Sequence, residues 1–287
     1  MQLDNIINIS AGDKAFPEAF KLLFQPVKRF YALGNLDLLT AKPRLGIVGS
    51  RKITSYGREV TTDLGCGAAR AGAVIVSGLA LGVDAAAHKA ALDVGGYTIA
   101  VLPSGLRNIY PASNEYLARQ ILGQNGLLIS EFEEHEHPMK YYFIQRNRLV
   151  AAISETLLVT EAAMGSGTRH TVEFTIGEGK EVIAVPGDIN KHSSSYSNYL
   201  IQNGCKPVFS TGDLLSKLGL NENLMKPKYQ PENEYEKSIT RALTEVTLTF
   251  NELLETSKLG VSTLNIHLTM LEVKGAVEST GNRWRLI

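Results

Sequence analysis

The sequence is short of cysteine, of surplus charge and of long apolar runs, and each shortage excludes a class of protein. Its two cysteines, Cys66 and Cys205, lie far apart and form no CxxC pair, so neither a disulfide framework nor a zinc ribbon is indicated. A membrane-spanning helix needs roughly 18 consecutive apolar residues, and no such run exists. The opening residues MQLDNIINIS lack the basic stretch and apolar core of a secretory signal, so a cytoplasmic chain with no membrane attachment is expected. Lys+Arg and Asp+Glu stand at 29 each, which excludes indiscriminate electrostatic adhesion to nucleic acid.

What is present is ample apolar content, 44% of 287 residues, enough for one large domain and one small one. Six short apolar runs alternate with segments of helical length: Leu45 to Val48, Ala73 to Val76, Tyr97 to Leu102, Leu127 to Ile129, Thr156 to Val159 and Val182 to Val185. Most are continuously apolar, the pattern of strands covered by helices on both faces. The expected fold is therefore α/β, a Rossmann-like three-layer domain over residues 1–218 with a mainly parallel sheet. Residues 1–44, with one helix expected from Pro17 to about Phe24, are too few for their own core and are attached to that sheet. Residues 219–236 read as a linker. Over 237–287, three short helical segments and a Gly-Asn turn between alternating residues suggest a winged-helix domain.

In an open parallel sheet, ligands bind beyond the carboxyl ends of the strands. Those ends carry Gly49-Ser50-Arg51, Ser77-Gly78, Pro103-Ser104-Gly105, Ser130-Glu131, Gly165-Ser166-Gly167-Thr168 and Pro186-Gly187. Glycine permits close backbone approach, and Ser or Thr at a helix start offers donors where the helix dipole favours an anion. Such an edge suits phosphate, although glycines at single βα turns also serve turn geometry alone. Neither GxGxxG nor GxxxxGK[ST] is present, so nicotinamide and nucleoside-triphosphate roles lack their usual parts and no cofactor is expected.

Charge that cancels globally is sorted locally. Arg44, Arg51, Lys52 and Arg58 form one acid-free run, and Lys140, Arg146 and Arg148 a second that interleaves Tyr141, Tyr142 and Phe143. Cations beside aromatic faces suit single-stranded nucleic acid, because phosphates need positive charge and unstacked bases need a platform. The alternative places these aromatics in the core and the cations in water. The segment Glu131 to His137 offers an HxH among acids but no third ligand, so no metal site is expected. Asp84 and His88, four apart, read as local helix-start electrostatics rather than an acid/base pair.

Taken together these residues resemble the DNA-processing protein A family, also called Smf. The resemblance rests on Ile47-Val48-Gly49-Ser50-Arg51, Tyr56-Gly57, Val76 to Asp84 with Ala87-His88, Ile109-Tyr110-Pro111, Asn114, Ser130-Glu131, Phe143, Arg146-Asn147-Arg148, Glu161, Ser166-Gly167-Thr168 and Val185-Pro186-Gly187. It implies a dimerising, non-catalytic protein that binds single-stranded DNA and loads the recombinase RecA onto incoming strands during natural transformation. By position it implies that Arg51 and Lys140 contact the DNA backbone, with Phe143 near a base. Gly49, Ser50, Lys52, Ser77, Gly78, Arg146, Asn147, Arg148, Ser166, Gly167 and Thr168 complete the expected site. Ile144-Gln145 departs from the family pattern and removes one cation.

Two other classes compete with this one. Phosphoribohydrolases of the LOG type share glycine-rich phosphate loops, but Thr171 stands where their glutamate belongs and Glu173 comes two residues late. A transcription regulator acting through the winged helix is disfavoured because Ser262 to Leu271 contains no Lys or Arg, which a recognition helix normally supplies.

Overall fold

The computed structural model describes residues 5–220, 231–244 and 246–286, so most of the expected linker, 221–230, lies outside the described residues. The chain divides into two compact units, Met1–Met225 and Lys226–Ile287.

In the first unit, β1 (Ile7–Ser10) and β2 (Arg29–Gly34) precede β3 (Arg44–Val48), β4 (Val74–Ser77), β5 (Thr98–Val101), β6 (Leu127–Ser130), β7 (Thr156–Val159), β8 (Glu181–Ala184) and β9 (Lys206–Pro207). They form one sheet in the order β1-β2-β6-β5-β4-β3-β7-β8-β9. From β6 to β9 every pairing is parallel, whereas β2 joins β6, and β1 joins β2, antiparallel. This is the Rossmann-like, mainly parallel sheet that the apolar runs lead one to expect. Strands β1 and β2 extend its edge, with Phe16, Phe20 and Phe30 packed ring to ring.

Helices cover both faces. On one side lie α1 (Glu18–Lys21), α5 (Lys140–Ile153), α6 (Thr168–Gly177) and α7 (Ser195–Gln202), packed on Val48, Val74, Val76 and Val159. On the other lie α2 (Ser55–Arg70), α3 (Val83–Asp93) and α8 (Thr211–Lys217), packed on Leu45, Ile47 and Ile75, with α4 (Glu115–Gly123) against Ala100 and Leu128. Successive strand residues therefore enter different layers, and a strand buried on both sides has no polar face to expose. The helix expected from Pro17 to Phe24 is a single turn. Pro26 supplies no amide and restricts the residue before it, so the chain leaves the helix early and Leu22 and Phe24 stay exposed.

The second unit contains α9 (Glu234–Ala242), β10 (Leu248–Thr249), α10 (Phe250–Ser257), α11 (Val261–Val273), β11 (Val277–Thr280) and β12 (Arg283–Leu286), with strand order β10-β12-β11. Thr249 opens α10 with a capping box, accepting from the Glu252 amide while the Glu252 carboxylate accepts from its own. Gly281 turns the β11–β12 hairpin at a φ of +66°, a conformation that favours glycine. Leu253, Leu264, Leu268, Leu271 and Val277 form the core. Among the described residues no helix is long and apolar enough to cross a membrane.

Candidate nucleic-acid interface

The strand order reverses between β3 and β7, so the loops that follow these neighbours part and leave a crevice at their carboxyl ends. The loop after β3 is anchored on both sides. The Ser50 amide donates to the Glu161 carbonyl at 2.7 Å, and the Ser50 carbonyl accepts from the Val83 amide at 3.1 Å. A Cβ on Gly49 would lie 2.5 Å from the Glu161 oxygen, so only glycine permits this approach. The Glu161 carboxylate, itself buried, accepts from the Thr54 amide and hydroxyl and so fixes the cap of α2.

A cavity of about 700 Å³ opens over this crevice. Eleven of the expected site residues line it: Gly49, Ser50, Arg51, Lys52, Gly78, Phe143, Arg146, Asn147, Ser166, Gly167 and Thr168. The Arg51 guanidinium lies over the Phe143 ring at 4.8 Å from its centroid, within cation–π range. Thr168, also in the lining, begins α6; its amide donates to the Ser166 hydroxyl at 3.2 Å and the two hydroxyls lie 2.8 Å apart. Asn147 donates to the Gly167 carbonyl at 3.4 Å and ties α5 to this loop. A helix start bearing hydroxyls thus lines the same cavity as exposed Arg51 and Lys52, an arrangement suited to an oxyanion beside an aromatic surface.

Three expected residues do not line the cavity. Ser77 is fully buried and donates to the Ile47 carbonyl at 2.6 Å, so it holds β3 to β4. Arg148 is buried on another face of α5, paired with Glu131 and donating to the Gln25 carbonyl at 3.0 Å. Lys140 is exposed at the start of α5, one helical turn before Phe143. Arg146 does line the cavity but is buried and donates to the Gly78 and Val101 carbonyls; burial lowers its pKa to about 10. It is a wall rather than a free cation. Arg44, at the amino end of β3 and so at the opposite end of the strands, pairs with Glu155 at 3.0 Å.

The loop 78–80 is wired throughout. Asp84 accepts from the Gly78 and Ala80 amides at 3.2 and 3.4 Å, and His88 Nε2 accepts from the Leu79 amide at 3.3 Å. Asn114 donates to the Leu79 and Ala80 carbonyls. Because the Thr98 hydroxyl donates to the Ile75 carbonyl, His88 Nδ1 must donate to Thr98, which sets the neutral tautomer. Burial, and then Arg146, lower the His88 pKa to about 3, while burial raises that of Asp84 against the opposing charge of Arg146. These two residues hold a loop; they do not face each other as an acid and base.

Of the aromatic run, only Phe143 reaches the cavity. Tyr142 is buried, stacked on Phe132 at 3.8 Å, and Tyr141 is exposed elsewhere. The acidic segment is occupied: Glu133 by Arg29 and Tyr31, Glu134 by Arg107, Glu136 by Tyr142. Among the described residues no group of three His, Cys, Asp or Glu is placed to hold a metal. Glu173 pairs with Arg169 at 2.7 Å, and that hydrogen bond holds its pKa below the ordinary carboxylate value; it does not line the cavity. His170, His192 and Ser193 do line it, without having been expected. His170 follows the strand-end loop Gly165 to Thr168 by two residues, a signal that could have marked it, whereas His192 and Ser193 lie five and six residues beyond Gly187 with no local mark.

The sequence model of one family, described as DNA recombination-mediator protein A, matches residues 8–219. The DNA processing protein DprA of Streptococcus pneumoniae is 42% identical over 73% of this chain and 73% of its own length. DprA of Bacillus subtilis is 36% identical over 74% of this chain and 71% of its own. The crystal structure of the S. pneumoniae protein superposes with a TM-score of 0.70 at 37% identity, covering 75% of each chain. DNA processing protein A from Helicobacter pylori, whose structure is described in terms of a single-stranded DNA binding mode, superposes at 0.67 with 33% identity, covering 74% of this chain and 95% of that one. With most of its first unit matched in sequence and in structure, the chain belongs to the DNA recombination-mediator protein A family.

Proposed function

We propose that the crevice between β3 and β7 holds the backbone of single-stranded DNA, and that the chain acts in DNA processing as a recombination mediator rather than as a catalyst. The observation that carries this reading is the exposed Arg51 guanidinium over Phe143, in a cavity that the hydroxyl-bearing start of α6 also lines. Arg51, Lys52 and Lys140 supply phosphate contacts, Gly49, Gly167 and the Ser50, Ser166 and Thr168 hydroxyls supply close approach and donors, and Phe143 supplies a stacking face. Arg146, Gly78 and Asn147 shape the wall.

The same reading extends to a homodimer that loads RecA onto the held strand; family membership supports both. The three helices and hairpin of the second unit support a winged-helix reading, with a protein-contact role. Lys237, Arg283 and Arg285 already pair with Glu234, Glu252 and Glu278, and α11 has neither Lys nor Arg.

The test is oligonucleotide binding against salt for wild type, Arg51→Ala and Lys140→Ala. Each variant is expected to bind all single-stranded sequences more weakly and to reduce the salt slope by about one. Unchanged affinity and slope in both variants overturn the site.

A further inference from the structure

We infer that His170 and His192 form a second phosphate site in the crevice, taking a strand phosphate other than the one at Arg51 and gripping it when the imidazoles are charged; the inference rests on the crevice being a single-strand site. Arg51 and Lys52 follow β3, His170 stands in the first turn of α6, after β7, and His192 follows β8; all four line the same cavity of about 700 Å³. Because β3 pairs with β7 and β7 with β8, the strand ends that lead to Arg51 and His192 are two spacings apart, roughly 10 Å. The loop after β7 lies between them in the sheet order. It carries Gly165 and Gly167, where a Cβ would meet no atom within 4 Å, so the wall there stays open to a strand. The turn His192–Ser194 is docked on that loop. The Ser195 hydroxyl donates to the His192 carbonyl at 2.7 Å and accepts from the Met164 amide at 3.1 Å, and the Tyr196 amide donates to the Ala162 carbonyl at 2.9 Å.

His170 Nδ1 lies 3.5 Å from one Glu173 oxygen, while the other takes the Arg169 guanidinium at 2.7 Å. With Nδ1–H turned to that carboxylate, a neutral imidazole presents the Nε2 lone pair, which repels a phosphate oxygen. Protonation makes Nε2 a donor. Besides Arg169 and Glu173, the Tyr196 and Tyr199 hydroxyls of α7 lie near the same pair. Lys191 adjoins His192 in the chain, with its amide on the Asp188 carbonyl. From the rest of the lining come Arg51, Lys52 and the buried Arg146 and Asp84, which offset each other. Without DNA the cations Arg51, Lys52 and Lys191 oppose charge on the two histidines. A bound phosphate favours it, so strand and proton are taken up together.

The full chain is titrated against salt with a thymine oligomer lacking terminal phosphates, at pH 6 and pH 8, on either side of the ordinary imidazole value of 6.5. Wild type is expected to bind more tightly at pH 6, on the order of tenfold, the scale of one charge-assisted hydrogen bond, with a salt slope steeper by about 0.7 for each charged histidine. His192 is exposed and His170 half-buried, so glutamine at either position leaves the fold intact. His170→Gln and His192→Gln each remove part of the difference between the two pH values, and the double variant removes it while binding at pH 8 as wild type does. Arg51→Ala weakens binding at both pH values and keeps the difference. If Arg51→Ala changes nothing at either pH, the backbone site fails and the histidine site with it. If Arg51→Ala acts but wild type binds alike at both pH values, or the double variant keeps the wild-type difference, the histidine site alone is overturned.

Discussion

Glu161 accepts two hydrogen bonds from Thr54, one from the amide at 2.8 Å and one from the hydroxyl at 2.7 Å. Its own carbonyl takes the Ser50 amide, so one residue at the end of β7 ties both ends of the 50–54 loop to the sheet. Gly57 lies so close to this carboxylate that a Cβ there would collide with it. Arg51 and Lys52, between the two anchors, owe their placement to a carboxylate that does not itself line the cavity.

Removing that carboxylate leaves the Thr54 amide unsatisfied. Glu161→Ala is expected to lower stability by about 2–4 kcal/mol, read from the denaturant midpoint, and to weaken single-strand binding at temperatures where the chain stays folded. Glu161→Gln keeps one acceptor and falls between. A wild-type midpoint in Glu161→Ala rejects the anchoring role.

Arg51 and Arg148 both stand in acid-free runs, yet the fold gives them opposite tasks. Arg51→Ala is expected to flatten the salt slope while moving stability by no more than about 0.5 kcal/mol. Arg148→Ala strands the Glu131 carboxylate and is expected to cost about 3–5 kcal/mol. The folded Arg148→Ala protein keeps the wild-type salt slope; a flattened slope there would place Arg148 among the phosphate contacts.

His88 makes stability depend on pH. Its folded pKa of about 3 lies below the ordinary 6.5, so the unfolded chain binds a proton that the folded chain refuses. The stability is complete above pH 6.5 and is lost as pH falls toward 3, by about 1.4 kcal/mol per pH unit. Denaturant unfolding at pH 7 and pH 5 is expected to show this loss in wild type and a smaller one in His88→Gln. Equal losses in the two proteins count against a buried neutral His88.

The layered sheet was legible because parallel strands are covered on both sides, and Leu127 to Ile129 or Thr156 to Val159 have no polar face to disguise them. The short edge strands β1 and β9 escaped notice, since Ile7–Ser10 is mostly exposed and Lys206–Pro207 has only two residues. Much of the cavity lining was legible too, from glycine with serine or threonine after strands β3 and β7. The cations were harder. Arg146 and Arg148 are two residues apart on one helix and so point about 200° apart, one toward the cavity and the other toward Glu131.

By itself the sequence determined the alternation of strand and helix, the phosphate-suited loops and the family, because these depend on residue type, order and spacing along the chain. Only the tertiary structure decided which cations are free. Arg44, Arg146 and Arg148 meet their partners between neighbouring strands and from helix to strand end, at Glu155, at Gly78 and Val101, and at Glu131. Such pairings join residues far apart in the chain, and no local run of charge records them.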